Sequence, residues 1–218
     1  MPIIKRPFPV NQEIVLDPFK TIMSKTNKKG IIEFANDYFM EVSGYKEWEL
    51  MGQPHNVIRH PDMPKIIFKI LWDRLFNGQN IHAVVKNLAK DGRYYWVVTD
   101  FKIKYDEKGD IQALYSRRKA IPENVKNFFS EFYSKLITIE QRGGITASGF
   151  YLTGFFEDMG KSYDEFILDL FNLSEKQLKD YMQAQISDGD IDSSFAVSAE
   201  QAIAKTKKKN GFLSRIFR

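Results

Sequence analysis

Gly52-Gln53-Pro54-His55-Asn56-Val57-Ile58-Arg59-His60-Pro61-Asp62-Met63-Pro64 is the run on which the reading of this chain turns. Pro54, Pro61 and Pro64 each fix φ and withhold an N–H donor, so no single regular helix crosses it. His55 and His60, two of the three histidines of the chain, stand there beside Arg59 and Asp62. A bend with that content has two readings: a loop satisfied by its own side chains, or a polar edge that meets a planar ligand.

Upstream, residues 19–24 and 31–34 are short β-prone runs separated by Asn27-Lys28-Lys29-Gly30, a reversal signal that predicts a hairpin. Asn36 then caps a short helix over 36–43, with Asp37 in its first turn and Gly44 as its stop. Another helical turn over 46–51 ends at Gly52. Downstream, Pro64 suits the first position of a helix over 65–76, in which Ile67, Ile70, Leu71 and Leu75 recur at spacings of three and four. Three β-like segments follow, 81–88, 93–105 and 111–118, parted by Asp91-Gly92 and by the turn at 106–109. Two strands, short helices and three strands make an α+β pattern: a five-stranded antiparallel sheet with helices on one face and a pocket between the layers.

From Glu123 the β signal ends. Val125, Phe128, Phe129, Phe132, Leu136 and Ile139 line one helical face, Gly143-Gly144 breaks it, and further helices are expected over 150–156, 162–170 and 174–182. Residues 187–198, rich in aspartate and serine, read as a linker. The partition is therefore an extension at 1–18, a sensor domain at 19–122, a helical output region at 123–186, a linker with a short helix at 187–204 and a tail at 205–218.

The chain has 218 residues, 43% hydrophobic and 14% aromatic, which suits a globular protein with a substantial core. No apolar run approaches the roughly 20 residues needed to span a bilayer, and the first ten residues do not resemble a secretory signal, so a cytoplasmic location is expected. The formal charge of +4 is concentrated in the tail; without its six cations the remainder carries −2, which argues against a nucleic-acid surface on the body. In that tail, Lys205 and Lys207 to Lys209 precede Phe212, Leu213, Ile216 and Phe217, a pattern for peripheral contact with the inner face of a membrane; a solvated basic end or docking on a partner helix are the alternatives. Cysteine is absent, which excludes disulfides, iron–sulfur ligation and thiolate catalysis, so redox function would need a bound cofactor.

Residues 31–37, Val42-Ser43-Gly44-Tyr45, the 52–64 run, Val85-Lys86-Asn87, Lys90-Asp91-Gly92 and Tyr95-Trp96-Val97 together resemble a PAS domain of the aerotaxis-receptor (Aer) type, over about residues 20–120. That resemblance implies non-covalent FAD as a reporter of redox state, with no catalytic turnover. Carried over position by position, it places the flavin-associated residues at Asn36, Arg59, His60, Asp62, Phe68 and Asn87, with His55 and Trp72 as neighbours. It also implies a separate membrane-bound chemoreceptor as signalling partner, with PAS-mediated homodimerisation as a further option. One position departs from the pattern: Ile81 stands where the family carries tryptophan at the start of the third strand.

The residues support this reading chemically. A flavin needs apolar walls and a few amide-like donors and acceptors along one edge, and a carboxamide such as that of Asn87 supplies both. Each residue also has a plainer reading: Asn36 as a helix cap, Phe68 and Trp72 as core, Arg59 and Asp62 as partners fixing the bend. A light-sensing flavin adduct needs the cysteine this chain lacks. FMN, a haem ligated by His55 or His60, or a cofactor-free PAS scaffold remain as alternatives; a histidine–carboxylate metal site lacks the helical spacing of common zinc motifs.

Overall fold

The computed structural model describes residues 4–172. The expected helix at 174–182, the linker and the basic tail lie outside the described residues. The described residues divide into two compact units: one holds those up to Met63 together with Leu71–Ile121, the other Pro64–Ile70 and those from Pro122 to Asn172.

The first unit is built on five strands, β1 (Ile22–Asn27), β2 (Ile32–Ala35), β3 (Ala83–Leu88), β4 (Tyr94–Tyr105) and β5 (Ile111–Ala120). All neighbours are antiparallel, in the order β2-β1-β5-β4-β3. The hairpin predicted from the Asn27 to Gly30 signal forms: the Asn27 carboxamide oxygen accepts from the Lys29 and Ile31 N–H groups, and Gly30 takes φ 75°. Its first strand starts at Ile22, later than expected, because Asp17 turns the preceding chain by accepting the Phe19 N–H at 2.9 Å and leaves Phe19 in solvent.

The N-terminal extension belongs to this unit. Val10 donates to the Gly92 carbonyl, Ile14 to that of Tyr94, and Tyr94 to that of Gln12, so this stretch runs beside the start of β4. Gly92 has φ 90°, and a Cβ there would lie 2.4 Å from the Phe8 carbonyl oxygen, which makes glycine obligatory in that turn. Two short helices follow β2: α1 (Asp37–Ser43), capped by the Asn36 side chain and stopped by Gly44 at φ 71°, and α2 (Glu47–Leu50).

The proline-rich bend decides the shape of this sheet. Its first half borders β2, through the Ile31–Pro54 bridge and the His55 N–H to Gly30 carbonyl bond; its second half borders β3, through the Arg59–Asn87 bridge. β2 and β3 are the two outer strands. Laid flat, the distance from one flank to the other would be roughly 29 Å at about 4.8 Å per strand. Five residues reach at most about 18 Å, and the stretch His55–Ile58 is a still shorter 3-10 turn. The sheet must therefore curl, and the bend closes over its concave face.

The bend leads into α3 (Lys65–Phe76). In the second unit, Glu140 caps the first turn of α3 by accepting from the Lys65 and Ile66 N–H groups at 2.9 and 2.8 Å. Glu140 lies in α4 (Glu123–Asp158), which is interrupted at Gly144 (φ 71°, ψ −175°). Phe132 and Phe155 would lie about 35 Å apart on a straight helix; their ring centroids are 4.8 Å apart. α4 is thus two limbs folded back at the expected glycine pair, and the second limb runs well beyond the expected 150–156. Phe128, Phe132, Phe155 and Phe156 form its core with Phe166 of α5 (Tyr163–Leu170), which Ser162 opens with a capping box.

Candidate functional site

Register shows which side chains share the concave face. Asn87 pairs with Tyr95; Ala83, Thr99, Arg118 and Ile22 form one row across β3, β4, β5 and β1; Ser116 and Ser24 form the next. Directly paired residues lie on the same side of a sheet. Arg117 points the other way and pairs with Asp100.

Polar groups are concentrated on this face. Arg118 is 5% exposed, and its Nη1 donates to Ser24 Oγ at 3.1 Å while its Nη2 lies 2.7 Å from His55 Nε2. Since guanidinium only donates, His55 Nε2 is the acceptor and the imidazole is neutral there. Burial, reinforced by the Arg118 charge, holds the His55 pKa well below its ordinary value. The imidazole stacks on Phe39 at 5.8 Å, and the guanidinium lies over the same ring at 5.7 Å. Ser24 Oγ also lies 2.9 Å from Ser116 Oγ. Burial pulls the Arg118 pKa down to about 10.

Asn87 Nδ2, Tyr95 OH, Thr99 Oγ1 and Tyr45 OH are buried polar atoms with no hydrogen-bond partner among the described residues. The first three lie on the concave face by register. Burial raises the Tyr95 phenol pKa, the Arg118 charge opposing it, and burial likewise raises that of Tyr45. A buried polar group left unpaired is costly, so natural interiors keep few of them. On the concave face the amide donor of Asn87, the Tyr95 phenol and the Thr99 hydroxyl, with the Arg118 guanidinium, have the chemistry of an edge for a planar heterocycle, beside apolar Ile22, Val85 and Val97 on the same face.

The residues singled out from sequence divide. His55 and Asn87 come to the concave face. Asn36 is occupied by the fold: its oxygen accepts from the Phe39 and Met23 N–H groups and its Nδ2 donates to the Thr21 carbonyl. Arg59 Nη2 donates to the Met63 carbonyl at 3.2 Å within the bend. His60 is buried; its Nδ1 accepts from the Asp62 N–H, its ring meets Tyr94 edge-on, and burial together with the Lys86 charge lowers its pKa to about 4. Asp62 is mostly exposed and pairs with Lys86 Nζ at 2.7 Å. Trp72 stacks on Phe76 and rests against Gly30, where an added Cβ would sit 3.0 Å from its ring. Phe68, one turn earlier on α3, is half-buried in the second unit. Ile81, at the tryptophan position, is buried.

Sequence reasoning missed Ser24, Tyr45, Tyr95, Thr99, Ser116 and Arg118. The alternation in β5, where Leu114, Ser116, Arg118 and Ala120 share one parity, was the available signal for two of them.

A curled antiparallel sheet in the order 2-1-5-4-3, with short helices and a closing bend, is a PAS fold, and residues 32–116 match the family described by that name. The aerotaxis receptor of Escherichia coli (strain K12) is 46% identical over 91 residues, 42% of this chain and 18% of that receptor. The bacterioopsin transcriptional activator of Halobacterium salinarum is 26% identical over 91 residues, again 42% of this chain and 14% of the relative. The chain thus spans less than a fifth of either relative, and the likeness covers the PAS region alone. Among solved structures, the light state of the blue-light photoreceptor Aureochrome1 LOV matches with a TM-score of 0.46 and 16% identity, covering 54% of this chain and 91% of that one. Among the described residues no helix is long and apolar enough to cross a membrane.

Proposed function

We propose that the PAS domain holds FAD non-covalently on the concave face and that the protein is a cytoplasmic redox and energy-taxis sensor, signalling to a separate membrane chemoreceptor. The observation that carries this is the set of buried, unpartnered polar atoms at Asn87, Tyr95 and Thr99 beside Arg118, on a face closed by the bend. The similarity to an aerotaxis receptor over this region supports it. FAD would supply reversible electron uptake, which no side chain of this cysteine-free protein provides. Asn87 and Tyr95 would meet the polar edge of the ring, and Phe39, Val85 and Val97 would exclude water.

Asn87 is also the residue that the bend grips, through the bridge to Arg59. A carboxamide can turn over when a neighbouring atom changes from acceptor to donor, so a change at the ring would be felt at the residue against which the bend is paired. The bend continues into α3, whose first turn Glu140 of the helical hairpin holds. The output would then follow the chain from the bend into α3 and bias a two-state packing of the helical hairpin. Haem ligation by His55 is disfavoured because its Nε2 already faces the Arg118 guanidinium, which opposes a second cation at that nitrogen.

The test is purification of the full chain. Absorption at about 450 nm, with FAD released on denaturation, is expected of an oxidised flavin, and limited proteolysis should give different patterns in the oxidised and reduced states. A colourless protein that rejects added FAD supports the cofactor-free scaffold. Identical proteolysis in both states refutes the signalling route while leaving flavin binding intact.

A further inference from the structure

Arg118 occupies an unusual position. It is buried on β5, the central strand of the sheet, and among the described residues it has no carboxylate partner. Two of its five N–H donors are engaged, one with a hydroxyl and one with a neutral imidazole. Burying a cation without an anion costs several kcal/mol, and arginine does not escape by deprotonation near neutrality. Among the strand residues of the concave face in its neighbourhood, Ile22, Ser24, Ala83, Thr99 and Ser116, none is charged. The local charge is therefore positive and uncompensated.

Resting on the flavin reading above, we propose that Arg118 is a flavin-positioning residue that binds the pyrimidine edge of the ring and favours its reduced, negatively charged form. Uptake of two electrons and one proton from a low-potential donor, dithionite in the test below, leaves one negative charge, which is delocalised over that edge. A fixed guanidinium there stabilises the charge without reorganisation. The diphosphate of FAD is the other anionic part, but it carries two strongly hydrated charges, and a single cation at 5% exposure on the central strand does not match it. His55 completes the arrangement: by accepting from Nη2 it orients the guanidinium while remaining neutral, so it adds no competing charge.

The experiment compares the full chain with Arg118→Met and Arg118→Lys. Each is loaded with FAD or riboflavin and titrated with dithionite against reference dyes, and each flavin-free protein is melted. Arg118→Met should bind reduced flavin at least tenfold less tightly relative to oxidised flavin, a midpoint about 30 mV more negative for a two-electron couple. Arg118→Lys should recover most of that shift. The shift should be the same with riboflavin, which has no phosphate, and flavin-free Arg118→Met should melt no lower than the parent.

A parent chain that takes up no flavin overturns the flavin reading and this inference with it. A parent that binds FAD while Arg118→Met keeps its potential overturns this inference alone. A loss confined to FAD places Arg118 on the diphosphate and refutes the ring assignment. A Met variant that fails to fold, or melts well below the parent without flavin, shows a structural arginine and also refutes it.

Discussion

Replacing Tyr95 by phenylalanine should stabilise the flavin-free protein, the reverse of what a core tyrosine substitution usually does. Tyr95 is fully buried and its hydroxyl has no hydrogen-bond partner among the described residues. An unpaired buried hydroxyl costs about 1–3 kcal/mol, whereas the ring keeps its packing in phenylalanine. Taking the lower half of that range, Tyr95→Phe should gain about 1–2 kcal/mol. For a chain of this size each kcal/mol moves Tm by about 2–4 °C. The assay is a pair of melts, without and with saturating FAD. With flavin bound the gain should shrink towards zero: the hydroxyl then has a partner, and its loss should weaken FAD binding by about 5- to 10-fold, near 1 kcal/mol, which offsets most of the flavin-free gain. Destabilisation of the flavin-free protein by Tyr95→Phe would refute the reasoning, because it would mean that the protein itself satisfies the hydroxyl.

Three further outcomes are expected. His60, with a folded pKa of about 4 against an ordinary 6.5, is protonated first in the unfolded chain as pH falls. Its contribution is therefore complete above pH 6.5 and is lost between about 6.5 and 4, amounting to about 2 kcal/mol after discounting for solvent screening. Urea melts of parent and His60→Gln should converge over that interval, and a constant difference would contradict the shift. Glu140→Ala should destabilise the second unit by about 1–2 kcal/mol, the usual cost of losing a helix cap, and hydrogen exchange at Lys65 and Ile66 should rise; unchanged protection would count against the cap. Gly144→Ala meets no atom within 4 Å, so its cost is backbone strain alone, about 1–3 kcal/mol at a φ and ψ that only glycine adopts readily; calorimetry showing no loss would mean that the two limbs are joined differently.

Local chemistry made much of this protein readable. Asn36, Gly44, the Asn27 to Gly30 turn and Gly144 each act through their own backbone or near neighbours, and each is found where its residue type predicts. The bend was legible as a polar edge, but its partners were not: Asp62 meets Lys86 and His55 meets Arg118 across separations of 24 and 63 residues. Arg118 and Ser24 are 94 residues apart and touch because β5 lies between β1 and β4, an order that no local pattern encodes. Tyr95 was read as part of a motif, whereas its role depends on which face of β4 is concave. That face is set by the short reach of the bend between the two outer strands.

What occupies the concave face separates a flavin sensor from a cofactor-free scaffold, and a crystal structure of the full chain grown with FAD addresses it. The expected result is an isoalloxazine against β3, β4 and β5, with Asn87 Nδ2, the Tyr95 hydroxyl and the Arg118 guanidinium each within hydrogen-bond distance of its edge. A structure in which these atoms are satisfied by other side chains of the protein, with the flavin absent or bound elsewhere, would contradict it.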